Sequence, residues 1–267
     1  MSKLQKALYE LDRMERMARM RSPLHSLDPR AKLLVTLGVL FAMLSLPLNR
    51  LSDLMIFAIF PIISCAASGI SYGFIFKRSL WVLPFIIFIG IFNPIFDREV
   101  VFLVGNVAVT AGWISFFSIL LRGILSVQAV LILILTTGFY PLCRGIQQMG
   151  VPSVLATQLL FVYRYLFVLL QEALSMNRAL TARGFGRQSF PFRTWGVLIG
   201  QLLIRTVSRA ERINRAMLSR GFTGTIRSTV RFRWRGSETS YLIVWVVLFL
   251  LFRLFHPIEA VQLFFHN

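Results

Sequence analysis

Residues 112–137 form an apolar run broken only by Arg122 and Gln128. At about 1.5 Å per residue a helix over that run is about 39 Å long, longer than the ~30 Å hydrocarbon core of a bilayer. No other feature constrains the fold as strongly, and the run is not alone. Hydrophobic residues make up 56% of the chain and charged residues 15%, against usual shares of about 45–50% and about 25%. Mean hydropathy is +0.70 and Phe occurs 25 times. A soluble domain of 267 residues lacks the interior to hide so much apolar surface. The expected fold class is an all-α polytopic membrane protein.

Four further spans are expected: Leu33–Leu48, with its helix starting at Pro29, Leu51–Ala67, Leu80–Phe96 and Tyr241–Phe255. Asp28 followed by Pro29 is a helix-start signature. Pro61 and Pro84 fall inside spans, where Pro is tolerated. Gly69–Arg78 reads as a loop. Val100–Val109, with Gly105 and Asn106, is too short to cross as a helix and reads as a re-entrant or surface segment. Residues Ser2–Arg21 place Leu8, Leu11, Met14 and Met17 on one face of an amphipathic helix. That helix is expected at the membrane surface or against the rest of the protein. The first 20 residues have no apolar core, so no cleaved signal peptide is expected.

Charge orients these spans. The chain carries a formal +18, and between Arg178 and Arg235 there are 13 Arg against one acid, Glu211. A basic block can mark nucleic-acid binding, but in a membrane protein it marks the cytoplasmic face, and no nucleic-acid partner is expected. With the N-terminus inside, four spans return the chain to the inside for residues 138–235, and the last span leaves the C-terminus outside. The expected organisation is an amphipathic segment at 1–28, four spans within 29–137, a cytoplasmic module at 138–235 and a last span at 240–256. Lipid bilayer is thus one partner, and the chain is expected in the cell (cytoplasmic) membrane. Val151–Leu170 is apolar enough to be a sixth span. The reading taken here is a long helix along the inner surface; a crossing requires the 122–150 region to be split differently.

A repeat lies inside the basic block. Asn177-Arg178-Ala179-Leu180-Thr181-Ala182-Arg183-Gly184-Phe185 recurs 37 residues later as Asn214-Arg215-Ala216-Met217-Leu218-Ser219-Arg220-Gly221-Phe222, identical at six of nine positions. Each copy is expected to end a helix, with Gly184 and Gly221 in the left-handed position just beyond it. Arg in a last turn suits the helix dipole and presents a rigid five-donor fork. A helix end with Arg, Gly and an exposed Phe has the form of a plug for a partner's pocket. Two plugs point to a partner with two equivalent pockets, such as a dimer. The plain alternative is two ordinary helix ends whose Arg side chains reach lipid headgroups.

On these residues the chain resembles the transmembrane T component of energy-coupling factor (ECF) transporters, in its cobalt/nickel-type branch, CbiQ. The resemblance runs from about Pro23 to Phe255. It rests on Leu27-Asp28-Pro29-Arg30-Ala31-Lys32-Leu33-Leu34, Asn93-Pro94, Thr136-Thr137, Gly150-Val151-Pro152, Arg164-Tyr165-Leu166 with Glu172, and the two Arg-Gly signatures. It implies a non-catalytic subunit joining two ATP-binding-cassette ATPases to a small substrate-binding membrane protein, CbiM-like or another S component. It makes the 138–235 module a coupling-helix module. The ATPase-coupling residues are then Ala182, Arg183, Gly184, Ser219, Arg220 and Gly221, supported by Arg178, Phe185, Arg215 and Phe222. Ser219 departs from the usual Ala, a small change. ATP would be bound by the partner subunits and the transported cobalt or nickel by a partner; no cofactor is expected on this chain.

Other classes fit less well. There is no GxxxxGK[ST] phosphate loop. His25, His256 and His266 have no ligand spacing, and Cys65 and Cys143 form no metal motif. A stand-alone secondary transporter needs its own polar central site, and an enzyme a cluster of titratable groups; neither pattern is found. A T component for a vitamin importer and a non-transporting membrane scaffold are the alternatives carried forward.

Overall fold

The computed structural model describes residues 3–47, 51–96, 100–104, 107–184, 191–224 and 234–255. In chain order the elements are α1 (Lys3–Ala18), α2 (Pro29–Leu44), α3 (Leu51–Ile56), α4 (Ile59–Ser68), α5 (Tyr72–Ser79), α6 (Leu83–Gly90) and α7 (Phe92–Phe96). There follow β1 (Val100–Val104), β2 (Val107–Thr110), α8 (Ala111–Thr137), α9 (Phe139–Gln148), α10 (Ser153–Arg183), α11 (Phe192–Leu218) and α12 (Gly236–Phe255). The molecule is an all-α polytopic membrane protein to which one small β-hairpin is added. Among the described residues, the helical stretches Tyr72–Pro94, which runs from α5 into α7, Ala111–Thr137 and Ser153–Arg183 are long and apolar enough to cross a membrane, and Asp53–Ser68, which joins α3 and α4, and Gly236–Leu251 are shorter apolar stretches.

The chain divides into two compact units, one of residues 16–145 with 232–267, the other of residues 1–15 with 146–231. The first holds the core. Val35, Val39 and Met43 of α2 recur every fourth residue and pack with Leu54, Phe57, Phe60, Leu125, Ala129 and Trp245. Phe57 stacks on Phe249 at 5.5 Å, and Phe60 meets Trp245 edge-on at 4.8 Å. The opposite faces stay apolar and open: Phe41 is 71% exposed and Trp81 84%. Large apolar side chains turned outward in this way are what a lipid-facing surface requires.

Two local readings are corrected here, and a third segment is given its form. Leu51–Ala67 is not one helix; it breaks at Phe57–Ala58 between α3 and α4. Pro61 causes this, because it has no N–H and its ring excludes the carbonyl four residues earlier, at Phe57. Gly69–Arg78 is not a loop. Gly69 ends α4 at φ 71, and Ser71, extended at ψ 122, starts α5. Lys77 and Arg78 then lie in the last turn of α5, where cations suit the dipole. Val100–Val109 is an antiparallel hairpin in which Val104 faces Val107 and Leu103 faces Ala108. Its valines favour strand; Gly105 and Asn106 lie outside the described residues.

Two of the resemblance-bearing segments meet in this unit. The Asp28 carboxylate accepts from the Arg30 N–H at 2.9 Å and caps α2, with Pro29 as its first residue. Buried Lys32 donates to the carbonyls of Thr136 (2.9 Å) and His25 (3.2 Å). The ammonium thereby ties the end of α8 to the turn before α2. His25 in turn places Nδ1 2.7 Å from Ser22 Oγ and Nε2 3.0 Å from the Met17 carbonyl. Burial, with the nearby Lys32 charge, lowers its pKa from 6.5 despite the carbonyl contacts.

Candidate functional site: two Arg-Gly helix ends

The second unit contains α10 and α11, the helices that carry the repeat. Helix α10 continues for 31 residues from Ser153 to Arg183, and α11 for 27 residues from Phe192 to Leu218. Glu172 holds them together. Its two carboxylate oxygens accept from Arg205 at 2.7 Å and Arg209 at 3.1 Å. The two arginines are four residues apart, so they share one face of α11. This clamp escaped the sequence reading; the spacing of Arg205 and Arg209 was the available signal, but nothing local connects them to Glu172.

The repeated ends differ from the basic residues in the clamp. Arg183 and Arg220 are both exposed, as are Ala182, Ser219 and Gly221. Among the described residues, neither Arg183 nor Arg220 makes an ion pair or side-chain hydrogen bond. Arg178 is exposed as well, while Arg215 pairs with Glu211 at 3.4 Å across one helical turn. The Ser219 hydroxyl donates to the Arg215 carbonyl at 2.9 Å. The extra polar atom relative to Ala182 is therefore satisfied within its own helix.

The two glycines do not share a conformation. Gly221 has φ 77. Its N–H donates to the Leu218 carbonyl, and the Phe222 N–H donates to the Met217 carbonyl, each at 3.0 Å. This is the paired hydrogen-bond pattern of a Schellman end. Gly184 instead has φ −82 and ψ 3, and donates to the carbonyls of Leu180 and Thr181. The expected left-handed position is thus present in the second copy and absent from the first. In the first copy the amide simply continues the tightening of the last helical turn.

Phe222 is also not an outward plug. It is half-buried, with its ring 6.3 Å from that of Phe161. It lines an apolar groove of about 490 Å³ between α10 and α11, together with Tyr165, Leu169, Ile213 and Met217. The reversal of direction at Gly221 brings the ring back over its own helix pair. Phe185 lies outside the described residues, as do His256 and His266. Among the described residues no three His, Cys, Asp or Glu side chains come together as a metal site.

Comparison with known proteins gives a consistent neighbourhood. A family model described as CbiQ, cobalt transport protein, matches residues 20–231. An uncharacterized protein of Methanocaldococcus jannaschii is 28% identical over 254 residues, covering 90% of this chain and 85% of that protein. The nickel permease LarQ of Lactiplantibacillus plantarum is 34% identical over 117 residues, 42% of this chain and 43% of the permease. A putative fused cobalt transport protein CbiMQ of Methanocorpusculum labreanum is 30% identical over 107 residues, 40% of this chain and 18% of the fusion.

Proposed function

The chain belongs to the CbiQ family of cobalt transport proteins, and from that premise we propose that it is the transmembrane coupling subunit of an ECF-type importer. In this reading it links two ATP-binding-cassette ATPases to a small CbiM-like membrane protein that takes up cobalt or nickel. One observation carries the reading. Two long helices, pinned together by Glu172, each end in an exposed arginine with no partner among the described residues. A guanidinium needs no ion pair in water, but a rigid helix end that holds one free presents a ready five-donor fork.

Each fork would meet carboxylate or carbonyl acceptors in one ATPase subunit, Arg183 in one and Arg220 in the other. The clamp then makes α10 and α11 respond as a pair when the ATPases close and open around ATP. Movement passes along helices rather than through flexible loops, and the substrate-binding partner is reoriented at the membrane. Catalysis and nucleotide remain with the ATPases, and the metal cargo with the small membrane partner. The fused CbiMQ relative supports a membrane partner of that kind, and the nickel permease relative supports a divalent cargo.

The same reading keeps residues 1–28 and 138–235 in the cytoplasm, so that four spans precede the module and α12 follows it, in the cell membrane. Under that arrangement α10 lies along the inner surface. The 13 Arg between Arg178 and Arg235 then sit on the side where positive charge is retained.

The test is purification of the chain from its native membrane in mild detergent, followed by mass spectrometry. Two ATPase subunits and a small membrane protein should accompany it. Arg183→Glu and Arg220→Glu should each lower ATPase recovery, since losing a buried charge-assisted contact costs roughly 2–5 kcal/mol. Cobalt and nickel uptake in cells carrying each variant should fall in parallel. Normal assembly and uptake in both variants would remove the coupling role from these arginines.

A further inference from the structure

The chain passes between the two compact units at Glu15–Arg16, Gly145–Ile146 and Arg231–Phe232. The last of these lies outside the described residues. The other two fall inside helices, α1 and α9, and not in loops. A hydrogen-bonded helix carries a displacement that a loop would absorb. In the core unit both helices rest on one short segment, His25–Lys32. His25 Nε2 stands 3.0 Å from the Met17 carbonyl in the last turn of α1. Gly145 of α9 is buried against Pro29: a Cβ there would lie 3.1 Å from the Pro29 Cβ and 3.5 Å from the Arg30 backbone nitrogen. No rotamer change relieves a contact with ring and backbone, so the two segments move together. The receiving segment is itself fixed. Lys32, 3% exposed, holds the Thr136 and His25 carbonyls. Asp28, 4% exposed, caps α2, and α2 carries Val35, Val39 and Met43 into the core.

In the other unit the same two helices lead to α10. The Tyr163 hydroxyl, on α10, donates to the Glu15 carboxylate of α1 at 3.4 Å. Helix α9 ends at Gln148, and α10 starts at Ser153. Helix α10 carries both the Glu172 clamp and Arg183. We infer that His25–Lys32 is the segment through which movement of α10 enters the transmembrane core, received from α1 at His25 and from α9 at Pro29, with Gly145 as the positioning residue of the second route. This rests on the coupling reading and adds to it the path from the arginine-bearing helices to the spans. It also gives a task to the Asp28-Pro29-Arg30-Ala31-Lys32 motif, which the Arg-Gly ends leave unused.

The test uses the chain purified with its ATPases and small membrane partner, reconstituted in vesicles, and reads cobalt uptake per ATP hydrolysed. Gly145→Ala pushes α9 off Pro29. It should leave ATPase recovery and hydrolysis as in the wild type and lower uptake per ATP by about fivefold or more. Adding Pro29→Gly removes the Cβ that the new methyl meets and should recover the ratio, a non-additive result that assigns the effect to this contact. Gly38→Ala, on α2 with open space at its Cβ, should match the wild type. If Gly145→Ala does not fold, Tyr163→Phe decides the matter: it removes only the hydroxyl on Glu15 and should lower the same ratio with the ATPases still bound. An unchanged ratio in Gly145→Ala and Tyr163→Phe would overturn the inference. So would an unrecovered ratio in the Gly145→Ala, Pro29→Gly pair, or loss of the ATPases from Gly145→Ala, which would make the contact a matter of assembly alone. A wild-type chain that brings down no ATPase would instead remove the coupling reading, and this inference with it.

Discussion

Gly221 and Gly184 occupy the same place in a repeated motif but hold different backbones, and a single methyl group should separate them. At Gly221, φ 77 is a conformation that L-residues resist. A Cβ built there meets nothing within 4 Å, so Gly221→Ala meets no neighbouring side chain and its cost comes from the backbone alone, about 1–2 kcal/mol. At Gly184, φ −82 and ψ 3 lie where alanine is at ease. Gly184→Ala should therefore be neutral or stabilise by about 0.4–1 kcal/mol through the unfolded chain. If the second end docks with its left-handed turn intact, 1 kcal/mol corresponds to about fivefold weaker binding. The assay has two parts. Amide exchange should show the Phe222 N–H, bonded to the Met217 carbonyl, losing protection in Gly221→Ala. Affinity of the ATPases for the chain in nanodiscs should fall for Gly221→Ala and hold for Gly184→Ala. Equal exchange and equal affinity for both variants would refute the assigned difference between the two ends.

Other perturbations probe the scaffold. Glu172→Gln should loosen α10 from α11 by on the order of 1 kcal/mol, since Arg205 and Arg209 are 59% and 40% exposed and solvent screens them; faster amide exchange along α11 would register it. Gly123→Ala should destabilise the first unit by about 1–3 kcal/mol. A Cβ there would come within 2.6 Å of the Ile86 side chain, and Ile86→Ala should restore part of the loss in a thermal unfolding scan. His25 gives a pH test. Its pKa is lower in the folded chain than the ordinary 6.5, so the unfolded state binds the proton first. Stability should be full above 6.5 and fall as pH drops through the folded value. A His25→Gln variant should show a shallower loss of thermal stability on acidification, and an unchanged slope would show that another group is responsible.

Much of the molecule was legible in the chain because its signals are local. Apolar run length declares the membrane, since no folded interior can absorb that surface. Asp28-Pro29 marks the start of α2 through a hydrogen bond spanning two residues, and the Arg-Gly repeat marks helix ends through bonds spanning three to five. Reading failed where a short signal was overruled by its neighbours. Polar residues around Gly69–Arg78 were absorbed into a helix, α5, whose last turn holds Lys77 and Arg78.

What tertiary structure alone decided lies at greater distance along the chain. Glu172 finds Arg205 and Arg209 at separations of 33 and 37 residues, and Lys32 finds the Thr136 carbonyl at 104. Phe222 turns onto Phe161 instead of outward. Two copies of one motif, alike in six residues of nine, end in different backbones. Run length, periodicity and caps are written in neighbouring residues, so the sequence alone determined a membrane-embedded helical chain with two arginine-bearing helix ends. Which face each helix buries, which arginines are consumed by an internal carboxylate and which remain free depend on distant segments meeting. That is a property of packing, where each contact is chosen against all the others, and no short stretch of sequence carries it.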